Sequence, residues 1–111
     1  MKRIAILGDS ITEGVGASDI NFCFANRLKD KFEVLNYGIG GTRIARQNKY
    51  YEPMRWNWAF VDRVKIMDFN VDNIIVFGGT NDFGHGDAEI YGEGEDIYTF
   101  TGAIRFYSFY L

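Results

Sequence analysis

Three short apolar runs, each shut off by glycine, constrain this chain more than any other feature. They are Arg3-Ile4-Ala5-Ile6-Leu7 before Gly8, Phe32-Glu33-Val34-Leu35-Asn36-Tyr37 before Gly38, and Asn73-Ile74-Ile75-Val76-Phe77 before Gly78-Gly79. Runs of this length, closed by turn formers, read as strands. The third is apolar on both faces, as strands of parallel sheets usually are. Stretches with helical spacing lie between them. Residues 20–31 set Phe22, Cys23, Ala25 and Leu28 among Arg27, Lys29 and Asp30, and Ser18 or Asp19 can cap that helix. Residues 54–67 carry Met54, Trp58, Val61 and Val64 at the same period, which reads as a core-facing stripe. From Asp96, the positions of Ile97, Phe100, Ile104 and Tyr107 predict a last helix. Residues 80–96 hold six carboxylates and four glycines; they read as a solvated acidic loop, because the spacing does not match an EF-hand.

Alternating strand and helix means crossover connections and a parallel sheet. Right-handed crossovers then give the strand order 2-1-3 within one domain over residues 1–111. The third strand falls at an edge, although it is apolar enough for a central position. That is a sign of an incomplete sheet, and of an edge through which copies of the chain could associate. A formal charge of -3 without a basic stripe argues against nucleic acid as the main partner. Cys23 is the only cysteine, so there is no internal disulfide and no cysteine metal cage; set among Phe22, Phe24 and Ala25, it reads as a buried thiol. Four apolar residues between Arg3 and Gly8 are too few for a signal-peptide core, and no apolar stretch approaches the ~20 residues of a membrane span. A cytoplasmic location is expected.

The chemistry-bearing residues sit directly after the strands. Gly8-Asp9-Ser10-Ile11-Thr12 follows the first, Gly38-Ile39-Gly40-Gly41-Thr42 the second, and Gly79-Thr80-Asn81-Asp82 the third. In a parallel sheet all three turns leave from one end, where open α/β sheets bind their ligands. A serine that attacks a carbonyl needs donors for the oxyanion it creates. Backbone N–H groups in a tight glycine turn are such donors, and so is a side-chain amide like that of Asn81. No Gly-x-Gly-x-x-Gly opens the first helix, and no Gly-Lys-Ser/Thr follows the first strand, which argues against a nucleotide-binding domain.

Taken together and in order, Gly8-Asp9-Ser10-Ile11-Thr12, Asn36-Tyr37-Gly38-Ile39-Gly40-Gly41 and Gly79-Thr80-Asn81-Asp82 resemble the first three sequence blocks of the SGNH hydrolase superfamily, the GDSL-type lipases and esterases. The resemblance implies a flavodoxin-like three-layer α/β/α sandwich, here cut to about three strands. It implies hydrolysis of a small-molecule ester or other acylated substrate without a cofactor or metal. Ser10 would be the nucleophile and its own N–H an oxyanion donor. Gly41 would give a second donor, with Gly40 as the fallback, and the Asn81 side chain a third. Asp9 and Asp82 read as turn and scaffold residues. Asp9, Gly40 and His85 are also candidate substrate contacts.

One departure stands out. The family takes its general base from a fourth block, a His oriented by an Asp three residues earlier, near the C-terminal end. The only histidine here is His85. Asp82-Phe83-Gly84-His85 spells the same spacing but overlaps the third block, so it reads poorly as a catalytic pair. The expectation is therefore an N-terminal portion of an acyl hydrolase of about twice this length, its Asp-His pair lying elsewhere. The alternative is a degenerate, inactive domain that binds an acyl or carbohydrate ligand.

Overall fold

The computed structural model describes residues 1–109. Its centre is a parallel sheet of three strands, β1 (Arg3–Gly8), β2 (Glu33–Gly38) and β3 (Asn73–Phe77), in the order β2-β1-β3. This is the expected order, with the second strand shifted by one residue. Side chains alternate across β1, so Ile4 and Ile6 face one side and Ala5 and Leu7 the other. All four are buried, which accounts for a run with no polar alternation.

Each face has its own core. Ile4 and Ile6 pack with Cys23 and Ala25, joined by Val34, Ile75, Phe24 and Leu28. Ala5 and Leu7 pack with Phe60, Val61, Val64, Met67 and Ala103, joined by Leu35, Ile74 and Val76. The helices are α1 (Ser10–Glu13), α2 (Phe24–Arg27), α3 (Phe60–Arg63), α4 (Thr80–His85) and α5 (Phe100–Ser108). Thus α2 covers the first face, and α3 and α5 cover the second.

The helices are shorter and more broken than their periodicity predicts. Over 20–31 the chain forms a tight turn at Ile20–Phe22, capped by the Asp19 carboxylate on the Asn21 N–H at 2.9 Å, then straightens at Cys23 before α2. Over 54–67 a 3-10 turn at Met54–Asn57 gives way to non-helical backbone at Trp58 and Ala59 before α3 begins. Side-chain bonds hold that break open. The Asn57 amide donates to the carbonyls of Tyr51 and Met54, and Arg63 Nε donates to the Trp58 carbonyl at 2.9 Å. The break also swings Met54 and Trp58 out of the expected core stripe; both are exposed.

Two boundaries also move. The acidic stretch begins as helix α4, and only its remainder is loop. The last helix starts at Phe100, four residues later than expected, because Thr99 Oγ1 accepts the Gly102 N–H and caps it there. Among the described residues no helix is long and apolar enough to cross a membrane.

The core arrangement predicts contrasting substitutions. Leu7→Ala, at a fully buried position, should lower the unfolding free energy by about 3 kcal/mol. Ile66→Ala, 74% exposed on the same layer, should change it by less than about 0.5 kcal/mol. Urea unfolding of both variants checks the ordering.

Candidate active site

Parallel register brings the three strand ends together. Gly8 pairs across to Gly38 on one side and to Phe77 on the other. The first turn places Ser10 at the start of α1. Asp9 is buried and its Oδ1 accepts the Ile11 N–H at 3.1 Å, which caps that helix. Asp9 is therefore a turn residue, as its motif position suggests. Ser10 is half-buried, and among the described residues its hydroxyl and its N–H have no hydrogen-bond partner.

The second loop lies against the first. The Ile39 N–H donates to the Gly8 carbonyl at 3.1 Å, and the Asn36 amide reaches the Thr12 carbonyl at 2.9 Å. Gly40 is buried beside Ser10: a Cβ built on it would stand 3.5 Å from the Ser10 Cβ. Its N–H, however, donates to Glu13 Oε2 at 3.0 Å. Gly41 adopts φ +77°, a left-handed conformation that favours glycine, and a Cβ there would fall 2.3 Å from Nε1 of Trp56. The Gly41 N–H makes no hydrogen bond among the described residues. Of the two glycines, Gly41 is thus the one with a donor to spare.

The third turn joins the second loop through Asn81. This buried amide donates one N–H to the Thr42 carbonyl at 3.0 Å, and among the described residues the other N–H of its NH₂ group is unused. Asp82 works as a scaffold. Its two carboxylate oxygens accept the N–H groups of Ile44 at 2.8 Å and Ala45 at 3.1 Å. Burial pushes its carboxyl above the usual carboxylate range, against the pull of those donors and of Arg43. A carboxylate spent on Ile44 and Ala45 does not orient His85. The exposed His85 ring stacks instead on Trp56, with centroids 6.3 Å apart, and is not hydrogen-bonded to Ser10.

Sequence reasoning missed two buried arginines beneath these loops. Arg43 donates to the His85 carbonyl at 2.7 Å and lies over the Tyr51 ring at 4.1 Å; its Nε has no partner among the described residues. It ties the second loop to the end of α4. Arg63, only 6% exposed, donates to the carbonyls of Tyr37, Gly8 and Trp58 and to the Thr42 hydroxyl. A signal for Arg63 existed: it is the one cation directly among Phe60, Val61 and Val64. The Trp56 indole packs on Gly41.

The profile of the GDSL-like lipase/acylhydrolase family matches residues 6–105, and the chain belongs to that family. No curated protein matches at the level of sequence. One solved structure, 28% identical, superposes with a TM-score of 0.71 over 98% of this chain and 52% of its own. A Lactobacillus plantarum protein is 30% identical, with a TM-score of 0.65 over 96% of this chain and 47% of its own. A carbohydrate acetylesterase family member from Sinorhizobium meliloti, 19% identical, shares the fold with a TM-score of 0.57 over 75% of this chain and 43% of its own. The chain spans about half the length of the solved structures it matches.

Asp87 ties residues 47–51 to the chain that follows α4. Burial raises its carboxyl, but the N–H groups of Asn48 and Lys49 and the Tyr51 hydroxyl outweigh that and hold it below the usual carboxylate range. A carboxyl that ionises more readily folded than unfolded stabilises the fold fully above the ordinary carboxylate range. That stabilisation is lost as pH falls through its depressed folded value. Asp87→Asn should therefore melt below the wild type near neutral pH, and the gap should close in strong acid. The raised carboxyl of Asp82 is common to both proteins and cancels in the difference. Thermal denaturation across pH measures that gap.

Proposed function

We propose that this chain carries the nucleophile and the oxyanion-binding half of a serine ester hydrolase. The observation behind this reading is that, among the described residues, the Ser10 hydroxyl has no hydrogen-bond partner and lies beside a loop whose Gly41 N–H is also unspent. In this reaction the Ser10 oxygen attacks the acyl carbon of an ester and its proton passes to a base. The carbonyl oxygen becomes an oxyanion, met by the N–H groups of Ser10 and Gly41 and by the Asn81 amide. The C–O bond to the alcohol then breaks and the alcohol leaves with a proton. Water hydrolyses the acyl-serine to a carboxylic acid and restores the hydroxyl.

Gly40 is set aside as a donor because its N–H is given to Glu13. Asp9 is set aside as a substrate contact because it is buried and caps α1. His85, exposed and stacked on Trp56, remains a substrate contact in this reading. The base and its orienting carboxylate come from outside these residues, in keeping with solved relatives about twice as long.

The test is hydrolysis of 4-nitrophenyl acetate, with Ser10→Ala as the control. A chain extended to the length of the solved relatives should hydrolyse the ester, and Ser10→Ala should abolish that rate to within background. The 111-residue chain alone should be slower by a factor on the order of 10³ or more, since this reading places the base outside it. Equal rates for the extended chain and its Ser10→Ala variant would overturn the assignment.

A further inference from the structure

We propose that Arg63 is a positioning residue for this site, locking the Ser10 turn and the oxyanion loop into one rigid unit; the inference rests on the reading of Ser10 and Gly41 given above. The guanidinium lies under the junction of both loops. One Nη donates to the Tyr37 carbonyl at the end of β2. The other donates to the Gly8 carbonyl at 3.1 Å, two residues before Ser10, and to the Thr42 hydroxyl at 2.8 Å, one residue after Gly41. Its Nε holds the Trp58 carbonyl, in the segment that carries Trp56 onto Gly41.

Four acceptors from three separate segments meet on one side chain. Only a planar fork of N–H donors can serve them together; a lysine ammonium offers three donors from a single point. The Thr42 hydroxyl passes the constraint on, because it donates in turn to the Ile39 carbonyl at 2.7 Å.

Charge reinforces the geometry. Burial drives the guanidinium down to about 10, opposed by the negative charges of Asp9 and Glu13. It thus stays protonated at neutral pH. Both of those carboxylates do positional work. Asp9 caps the helix that begins at Ser10, and Glu13 holds the Gly40 N–H. Removing the cation would leave the Gly8 and Tyr37 carbonyls without this donor and both carboxylates without their neutralising partner.

The experiment labels Ser10 with a fluorophosphonate in the chain extended to the length of the solved relatives, which carries the base. The serine oxygen bonds to phosphorus, the P–F bond breaks, fluoride leaves and the hydroxyl proton goes to that base. The phosphoryl oxygen then sits where an oxyanion would. Two variants are compared with the wild type. Arg63→Lys keeps the charge without the fork, and Thr42→Val removes only the link to the loop. Each should lower the maximal labelling rate by roughly tenfold or more while the concentration for half-maximal rate stays within about twofold. A merely structural loss, measured well below the melting temperature, would move neither.

Wild-type labelling in a folded Arg63→Lys or Thr42→Val overturns the proposal, and Thr42→Val decides if Arg63→Lys does not fold. Amide hydrogen exchange tests the same point without chemistry. In Arg63→Lys, or in Thr42→Val if needed, protection should fall at residues 39–42 and stay unchanged in β1. Unchanged loop protection overturns the proposal whatever Ser10 does. If the wild type is never labelled at Ser10 but the exchange result holds, the catalytic reading fails and the positioning role stands.

Discussion

Everything in this fold hangs on the two hydrogen-bond ladders of β1. Its backbone bonds β2 along one edge and β3 along the other, and its side chains seed both cores. Parallel pairing fixes more than stability. Because all strands run the same way, Gly8, Gly38 and Phe77 end level, and the turns that follow must meet. A slip of one residue in either ladder would reverse the facing of Ile4, Ala5, Ile6 and Leu7 and pull the turns apart. At its start, β1 is pinned by Arg3, whose side chain pairs with Glu33 and Asp68 and whose N–H donates to Asp72. Those are exposed contacts of small energetic value, so register rests on the apolar facing rather than on charge.

The strands were legible because a strand buried on both faces has no choice but to be continuously apolar. The glycine blocks were legible because only glycine permits the left-handed backbone of Gly41 and Gly79. The helices were less so. Periodicity reports which side faces the core, but not where a side chain such as Asn57 or Thr99 captures a backbone group and ends or delays a helix. Arg43 and Arg63 escaped for a related reason. A charged residue reads as solvent-facing in a sequence, and only the fold reveals the carbonyls gathered around it. The motif position of Asp82 reads as scaffold, and in the fold its carboxylate accepts the N–H groups of Ile44 and Ala45.

Below the loops, polarity is arranged in matched pairs. Each buried guanidinium holds main-chain carbonyls, and the carboxylates around it hold main-chain N–H groups. Arg63 is set against Asp9 and Glu13, and Arg43 against Asp82. This lets irregular backbone lie buried with its polar groups satisfied, which a glycine-rich loop cannot manage alone. Selection between neighbouring glycines follows from the same scheme. Glu13 occupies the Gly40 N–H and leaves that of Gly41 uncommitted.

The contact of Trp56 with Gly41 has an optical side. An indole resting on the Gly41 loop, half-buried and stacked on His85, shares the long-wavelength edge of near-ultraviolet absorption, beyond the reach of the seven tyrosines, only with Trp58, which is 45% exposed. The two emitters sit in unlike surroundings, one facing solvent and one shielded by its neighbours. With Trp58 replaced by phenylalanine and excitation at that edge, the remaining emission would come from a single indole against the loop. Ordering, opening or occupancy of that loop would then register as colour and intensity, with no label added to the protein.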